Sequence, residues 1–187
     1  MTKAEQIRRL AAEGLSVSDI AASVGVRYQH AYNVLKRSGT SSVPRPLRAI
    51  APVKPPLDAG RLLDAGFEHA SGWALDEAGL LILTRPLQKS VGVYAFVKDG
   101  AVLYVGVATM GLAKRIYFYA RPGASQRTSL RLNDLIRLEV QSNAQIDVLI
   151  AQPEDMIWNG LPVHGAAGLE LGLIKTYALP WNMRSAR

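Results

Sequence analysis

The sequence predicts a mixed α/β chain of the α+β kind, with a small all-helical unit followed by a larger domain of strands and helices. Three observations predict it. Apolar residues recur at helical spacing as far as Leu35, and Ser38-Gly39 then ends the pattern. Residues 40–57, TSSVPRPLRAIAPVKPPL, carry five prolines and show no usable periodicity. Beyond them, branched and aromatic runs alternate with amphipathic helical stretches.

In the first part, Ile7, Leu10 and Ala11 share one helical face, and Glu13-Gly14-Leu15 breaks it. Ser16 is a suitable N-cap for a second helix, with Asp19 three residues on, and Gly25 is placed to end it. A third helix runs from about Arg27 to Lys36 and turns Ala31, Val34 and Leu35 inward. Residues 1–39 thus form a three-helix unit, too small to be very stable alone. Residues 40–57 are a stiff, extended basic linker whose Arg45, Arg48 and Lys54 are free to follow a phosphate backbone, unless they are a plain spacer.

Residues 58–187 form the larger domain. A helix end is expected at Leu62 to Phe67, and a hairpin of Gly72–Leu75 with Leu80–Leu83 around Asp76-Glu77-Ala78-Gly79. A clearer hairpin joins Val91–Val97 to Ala101–Val105 through Lys98-Asp99-Gly100. Helices follow near Leu112–Tyr119 and Leu130–Val140, then a strand at Ile146–Ala151 and a loop as far as Gly165. A last helix, Ala166 to Ala178, is closed by Pro180.

Composition narrows the function. With 187 residues, 49% of them apolar, the chain can bury a core in two unequal domains. It has no cysteine, so any metal is held by oxygen or imidazole and no thiol serves as a nucleophile. No segment reads as a membrane span or an N-terminal leader, and a cytoplasmic protein is expected. The net charge of +7 is uneven: residues 1–57 hold nine Lys/Arg against three Asp/Glu, and residues 58–187 hold thirteen against twelve. Lys114, Arg115, Arg121, Arg127 and Arg131 form a second basic stretch without an acid. A polyanion is the implied partner, and a charged surface favouring solubility is the alternative.

The sequence Glu13-Gly14-Leu15-Ser16, with Ile20-Ala21 and Gly25-Val26, resembles the helix-turn-helix of resolvase-like DNA-binding domains. The resemblance implies that Arg27, Tyr28, Gln29, His30 and Asn33 lie on a recognition helix and face DNA. A helical interaction module is the alternative.

Gly92-Val93-Tyr94 and, ten residues from tyrosine to tyrosine, Tyr104-Val105-Gly106 are followed by Arg115, Tyr119, Glu170 and Asn182 in Pro180-Trp181-Asn182. Order and spacing over residues 91–182 resemble the GIY-YIG nuclease family. The resemblance implies a central, mostly antiparallel three-stranded sheet flanked by helices, and an endonuclease that hydrolyses phosphodiester bonds in DNA. Glu170 would be the one protein ligand of a single Mg2+, with Mn2+ a possible substitute. Tyr94 would orient or deprotonate the attacking water, Tyr104 would position it or the phosphate, and Arg115 would stabilise the developing charge. Tyr119 would face the same way as Arg115, and Asn182 would tie the C-terminal segment to the strands. Lys114, Arg127 and Arg131 would contact DNA.

The residues support Glu170 independently, because a helix over 166–178 places it beside Leu173, Ile174 and Tyr177. A carboxylate on an apolar face needs a cation, which is either a metal or Arg115. For Tyr94 and Tyr104, packing in a hairpin is the plain alternative. Many family members have lysine directly after the second motif, where this chain has Val107. Lys114, Lys98 or the Tyr94 phenol alone would then have to serve as base. His164 is read as an incidental loop residue. A restriction-type enzyme is the favoured setting, dimeric if it cuts both strands. The alternatives are a non-catalytic DNA-binding regulator and a repair or mobile-element nuclease.

Overall fold

A computed structural model describes residues 2–38 and 53–183, and it divides into two compact units, residues 1–51 and 52–187. Arg45 and Arg48 of the proline-rich run lie outside the described residues.

The first unit contains α1 (Lys3–Ala12), α2 (Val17–Val24) and α3 (Tyr28–Arg37). Thr2 and Glu5 form a capping box at the start of α1. The Ser16 side chain caps α2 by accepting from Asp19 N–H, and Gly25 ends α2 in the left-handed conformation, at φ 61°. Ile7, Val17, Ile20, Ala21, Ala31 and Leu35 close a small core of their own.

The second unit opens with residues 53–57, which the sequence places in the linker. Leu57 is buried, its carbonyl accepts from Val102 N–H, and Pro55 O accepts from Ala178 N–H. Lys54 does not trail free, since its Nζ donates to Ile174 O at 2.7 Å. Then come α4 (Ala59–Asp64), β1 (Glu68–Leu75), β2 (Leu81–Leu83), β3 (Gly92–Lys98), β4 (Ala101–Ala108), α5 (Leu112–Ala120), α6 (Arg127–Gln141), β5 (Asp147–Ala151), β6 (Met156–Trp158), β7 (Leu161–Val163) and α7 (Gly165–Thr176).

The expected three-stranded sheet has five strands, in the order β2-β1-β5-β3-β4, with every pairing antiparallel. β1 begins at Glu68, earlier than the apolar pattern indicates, because its polar start pairs with β5. The stretch expected as a loop before Gly165 contains a separate hairpin, β6–β7.

Strand alternation divides the apolar residues between two faces. Tyr94, Phe96, Tyr104, Val148 and Ile150 pack with Leu112 and Ile116 of α5 and with Leu132 and Ile136 of α6. Val93, Ala95, Val105 and Leu149 pack with Leu57, Leu62 and Phe67, and Leu169, Leu173 and Ile174 of α7 join that second cluster.

β4 is the last strand in the order, and its outer side is covered by loops rather than left to template another strand. Ala59 N–H donates to Gly100 O, Val102 N–H to Leu57 O and Trp181 N–H to Leu103 O. The Asn182 side chain completes the cover with two bonds to Val105, Val105 N–H to Oδ1 at 2.9 Å and Nδ2 to Val105 O at 2.8 Å.

Candidate active site

The two glycine-tyrosine motifs meet on neighbouring strands, where Tyr94 of β3 lies directly opposite Gly106 of β4. A Cβ at position 106 would overlap the Tyr94 phenol, so the bare backbone there gives that ring its seat. A Cβ on Gly92 would approach Ala151 O of β5 to 2.6 Å, so the first motif glycine is fixed by its other neighbour strand.

Tyr94 and Tyr119 are fully buried and Tyr104 nearly so. The Tyr94 and Tyr119 hydroxyl oxygens lie 2.6 Å apart, and Tyr119 donates to Tyr104 over 3.4 Å. Arg115, one helical turn before Tyr119, donates from Nη2 to the Tyr119 oxygen at 2.8 Å, and its guanidinium carbon sits 4.6 Å from the centre of that ring. Its Nη1 reaches Ser129 Oγ of α6 at 3.4 Å, a contact the sequence did not suggest. Tyr94, Tyr104, Arg115 and Tyr119 are therefore one cluster, drawn from β3, β4 and α5.

The electrostatics bear on the part expected of Tyr94. A basic Tyr94 needs a lowered pKa, whereas burial pushes this phenol well above its ordinary value, with Tyr104 adding to the rise and Arg115 and Tyr119 opposing it. Burial raises Tyr119 further still. Burial also works against the Arg115 charge, but the surrounding phenols leave its pKa raised, so it stays a cation. The cluster is a hydroxyl network around one fixed positive charge.

Glu170 is half-buried on α7, whose Leu169, Leu173 and Ile174 join the apolar cluster on the face of the sheet opposite the phenols. Val107 packs against that same cluster, so a side chain at this position projects toward the α7 face. Lys98, one candidate to replace the family lysine, is bound in an ion pair with Glu139 at 2.6 Å, and this hydrogen bond raises its pKa. Lys114 is exposed on α5 and Arg127 is exposed at the start of α6. Arg131, expected at DNA, is instead half-buried and donates from Nη2 to Trp181 O at 2.6 Å. Its helical position turns it toward the C-terminal segment. His164 caps α7, its Nδ1 accepting from Ala167 N–H.

In the first unit, Arg27, Tyr28, Gln29, His30 and Asn33 are all exposed. Gln29 Nε2 donates to Asn33 Oδ1 at 3.1 Å, and Tyr28 stacks on Tyr32. One face of α3 thus presents a pre-ordered polar and aromatic surface.

An antiparallel sheet with an aromatic hydroxyl network beside a helix-borne arginine defines the class of fold. No protein-family model matches the chain, and no curated protein matches it. Among solved structures, a mutant of bacteriophage T4 EndoII is similar with a TM-score of 0.56 at 19% identity, over 68% of this chain and 100% of that one. The restriction endonuclease HPY188I in complex with product DNA aligns with 63% of this chain and 77% of its own, at 14% identity and a TM-score of 0.42. The likeness to EndoII is one of fold.

Proposed function

We propose that the chain is a metal-dependent endodeoxyribonuclease of the GIY-YIG type, which hydrolyses phosphodiester bonds in DNA and acts in a restriction-type setting. The observation that carries the reading is the cluster of Tyr94, Tyr104, Tyr119 and Arg115, seated on Gly106. A half-buried guanidinium held by hydroxyls is a fixed, partly desolvated positive charge, which suits the charge developing on a phosphate under attack. The EndoII-like fold agrees with this reading.

The donor set fits a metal of the kind expected. Among the described residues no three His, Asp or Glu side chains gather to form a cage. Glu170 offers one hard oxygen ligand, which suits an ion such as Mg2+ that keeps most of its waters and meets phosphate oxygens directly. When bound, that ion supplies neutralisation of phosphate charge. The chain's own residues do the rest: Arg115 holds the phosphate, Tyr119 fixes Arg115, Tyr104 orients the phosphate or the water, and Tyr94 anchors the network. Lys114 and Arg127 contact flanking phosphates. The first unit reads as a helix-turn-helix whose exposed α3 residues Arg27, Tyr28, Gln29, His30 and Asn33 face the major groove.

The test is cleavage of mixed plasmid DNA by the full chain with Mg2+ and with a chelator, repeated with Glu170→Gln and Arg115→Ala. Metal-dependent cutting that both substitutions abolish is the expected result. DNA binding without metal-dependent cutting would overturn this reading in favour of the non-catalytic regulator, for which Val107 speaks.

A further inference from the structure

Beside α5, on the side of the helix away from Arg115, the second unit holds a cavity of about 340 Å3. The buried side chains of Leu81 and Ile116 form its floor, Pro86 and Leu87 one wall, and Tyr117 and Arg121 stand at its edge. Both ends of α5 are fastened across it. At the first end, Leu112 N–H donates to Ser90 O and Ala113 N–H to Gln88 O. At the other, Arg121 Nη1 donates to Leu81 O at 2.9 Å. The opening is therefore held by the fold itself, and it falls in the size range of small-ligand pockets, about 300–1,000 Å3.

Charge and ring chemistry together select the occupant. The segments that bound the cavity, residues 81–90 and 111–121, contain no Asp or Glu, and their Arg85, Lys89, Lys114 and Arg121 are all exposed. Arg85 is engaged by His69 at 2.7 Å, and Arg121 Nη2 lies 3.9 Å from Asp76. The Lys89 and Lys114 side chains have no partner among the described residues. Tyr117 is 59% exposed, so its ring is open to a ligand. A flat aromatic face at an apolar cavity, surrounded by cations, suits a nucleobase that stacks while its phosphates meet the charges. An apolar side chain of a protein partner would fill the same space without using the cations.

We propose that this cavity takes an unpaired nucleobase of a DNA strand, stacked on Tyr117, with the adjoining phosphates on Lys89 and Lys114. Around α5, Arg115 and Tyr117 stand about 160° apart, and Lys114 lies between them. A strand whose phosphate rests at Arg115 therefore passes Lys114 on its way to Tyr117, which places the cavity a short distance along the same strand. Taking a base out of a duplex costs least where it is mismatched or already single-stranded, so the site favours DNA with an unpaired base near the phosphate held by Arg115. The choice of DNA among polyanions rests on the nuclease reading; the base site itself is tested without cutting.

The experiment uses the full chain without metal and a short single-stranded DNA carrying one 5-iodouracil, crosslinked by ultraviolet light and mapped by peptide mass. The crosslink is expected on Tyr117. In fluorescence anisotropy, Tyr117→Ala should weaken binding of that strand about 5- to 100-fold, the worth of one stacked base, while Tyr117→Phe keeps it. The ring is mostly exposed, so Tm should not change in either variant. Ile82→Glu, which sets an acid at the same cavity, should weaken binding as well. An abasic strand of equal length should bind the wild type and Tyr117→Ala alike. Equal loss for the abasic strand would make Tyr117 a backbone contact and overturn the proposal. So would crosslinks on Tyr28 or Tyr32 of α3 with affinity unchanged by Tyr117→Ala, or an equal yield at Tyr117 from a fully paired duplex. A strand that does not engage the cavity at all leaves a protein segment as its occupant, and that too overturns it. Base-dependent binding without plasmid cutting counts against the nuclease reading alone, and cutting without base-dependent binding counts against this one alone.

Discussion

Replacing Asn182 with alanine removes the side chain that stands where a sixth strand would lie. Val105 is wholly buried, and its N–H and C=O face away from β3, so Asn182 supplies both a donor and an acceptor at the edge of the sheet. Each buried backbone group left without a partner costs about 1–3 kcal/mol. Asn182 itself is 7% exposed, so water reaches the vacated site in part, and the expected loss is about 2–4 kcal/mol. For a unit of this size that is a fall of roughly 5–15 °C in Tm. All three tryptophans, Trp73, Trp158 and Trp181, lie in the second unit, so urea unfolding followed by tryptophan fluorescence reports on it selectively within the full chain. Asn182→Asp gives the internal check. It keeps an acceptor for Val105 N–H but sets a carboxylate against Val105 O, so it should also destabilise. A loss below about 0.5 kcal/mol for Asn182→Ala, with an unchanged denaturant slope, would refute the reasoning.

Stability should also fall in alkali. Burial raises the pKa of Tyr94 and of Tyr119 above the ordinary phenol value of 10.0, so the folded unit holds these protons more tightly than the unfolded chain does. That contribution is complete below pH 10 and is lost as pH rises beyond it, at up to about 1.4 kcal/mol per pH unit for each phenol. Urea titrations between pH 8 and 11 should show it, and Tyr119→Phe should reduce the slope; a flat profile through pH 11 would contradict it. Gly106→Ala drives a methyl into the Tyr94 ring and should cost about 1–3 kcal/mol as overpacking, with an altered near-ultraviolet circular dichroism spectrum. Arg127→Ala should weaken DNA binding and lower its salt slope by about 1 at unchanged Tm. Arg131→Ala should do the reverse, lowering stability by about 1.5–3 kcal/mol through the lost bond to Trp181 O and leaving the salt slope alone.

Local patterns in the sequence located most elements of the second unit and all three helices of the first, because caps and turns such as Ser16, Gly25 and Lys98-Asp99-Gly100 act over a few residues. The insertion of β5 between β1 and β3 was not legible, since it depends on pairings across about fifty to eighty positions. The β6–β7 hairpin had a signal in Asn159-Gly160, but Met-Ile-Trp and Leu-Pro-Val show no alternation of apolar and polar residues, for the physical reason that both faces are exposed and apolar. Within the candidate site, the motif spacing placed Tyr94, Tyr104, Arg115 and Tyr119 close together. It could not foresee Ser129 beside Arg115, because that contact joins two helices. Charge counting put Arg131 with the other cations, whereas its neighbours in space turn it inward.

The three phenols also link the buried charge to the surface. The Tyr119 oxygen accepts from Arg115 at 2.8 Å and lies 2.6 Å from the Tyr94 oxygen and 3.4 Å from that of Tyr104. Tyr104 is the one phenol of the three with any surface open to solvent. The hydroxyl at the rim of the cluster is therefore backed, through Tyr119, by a fixed guanidinium, and an anionic oxygen arriving there meets an end of a network that already carries a positive charge.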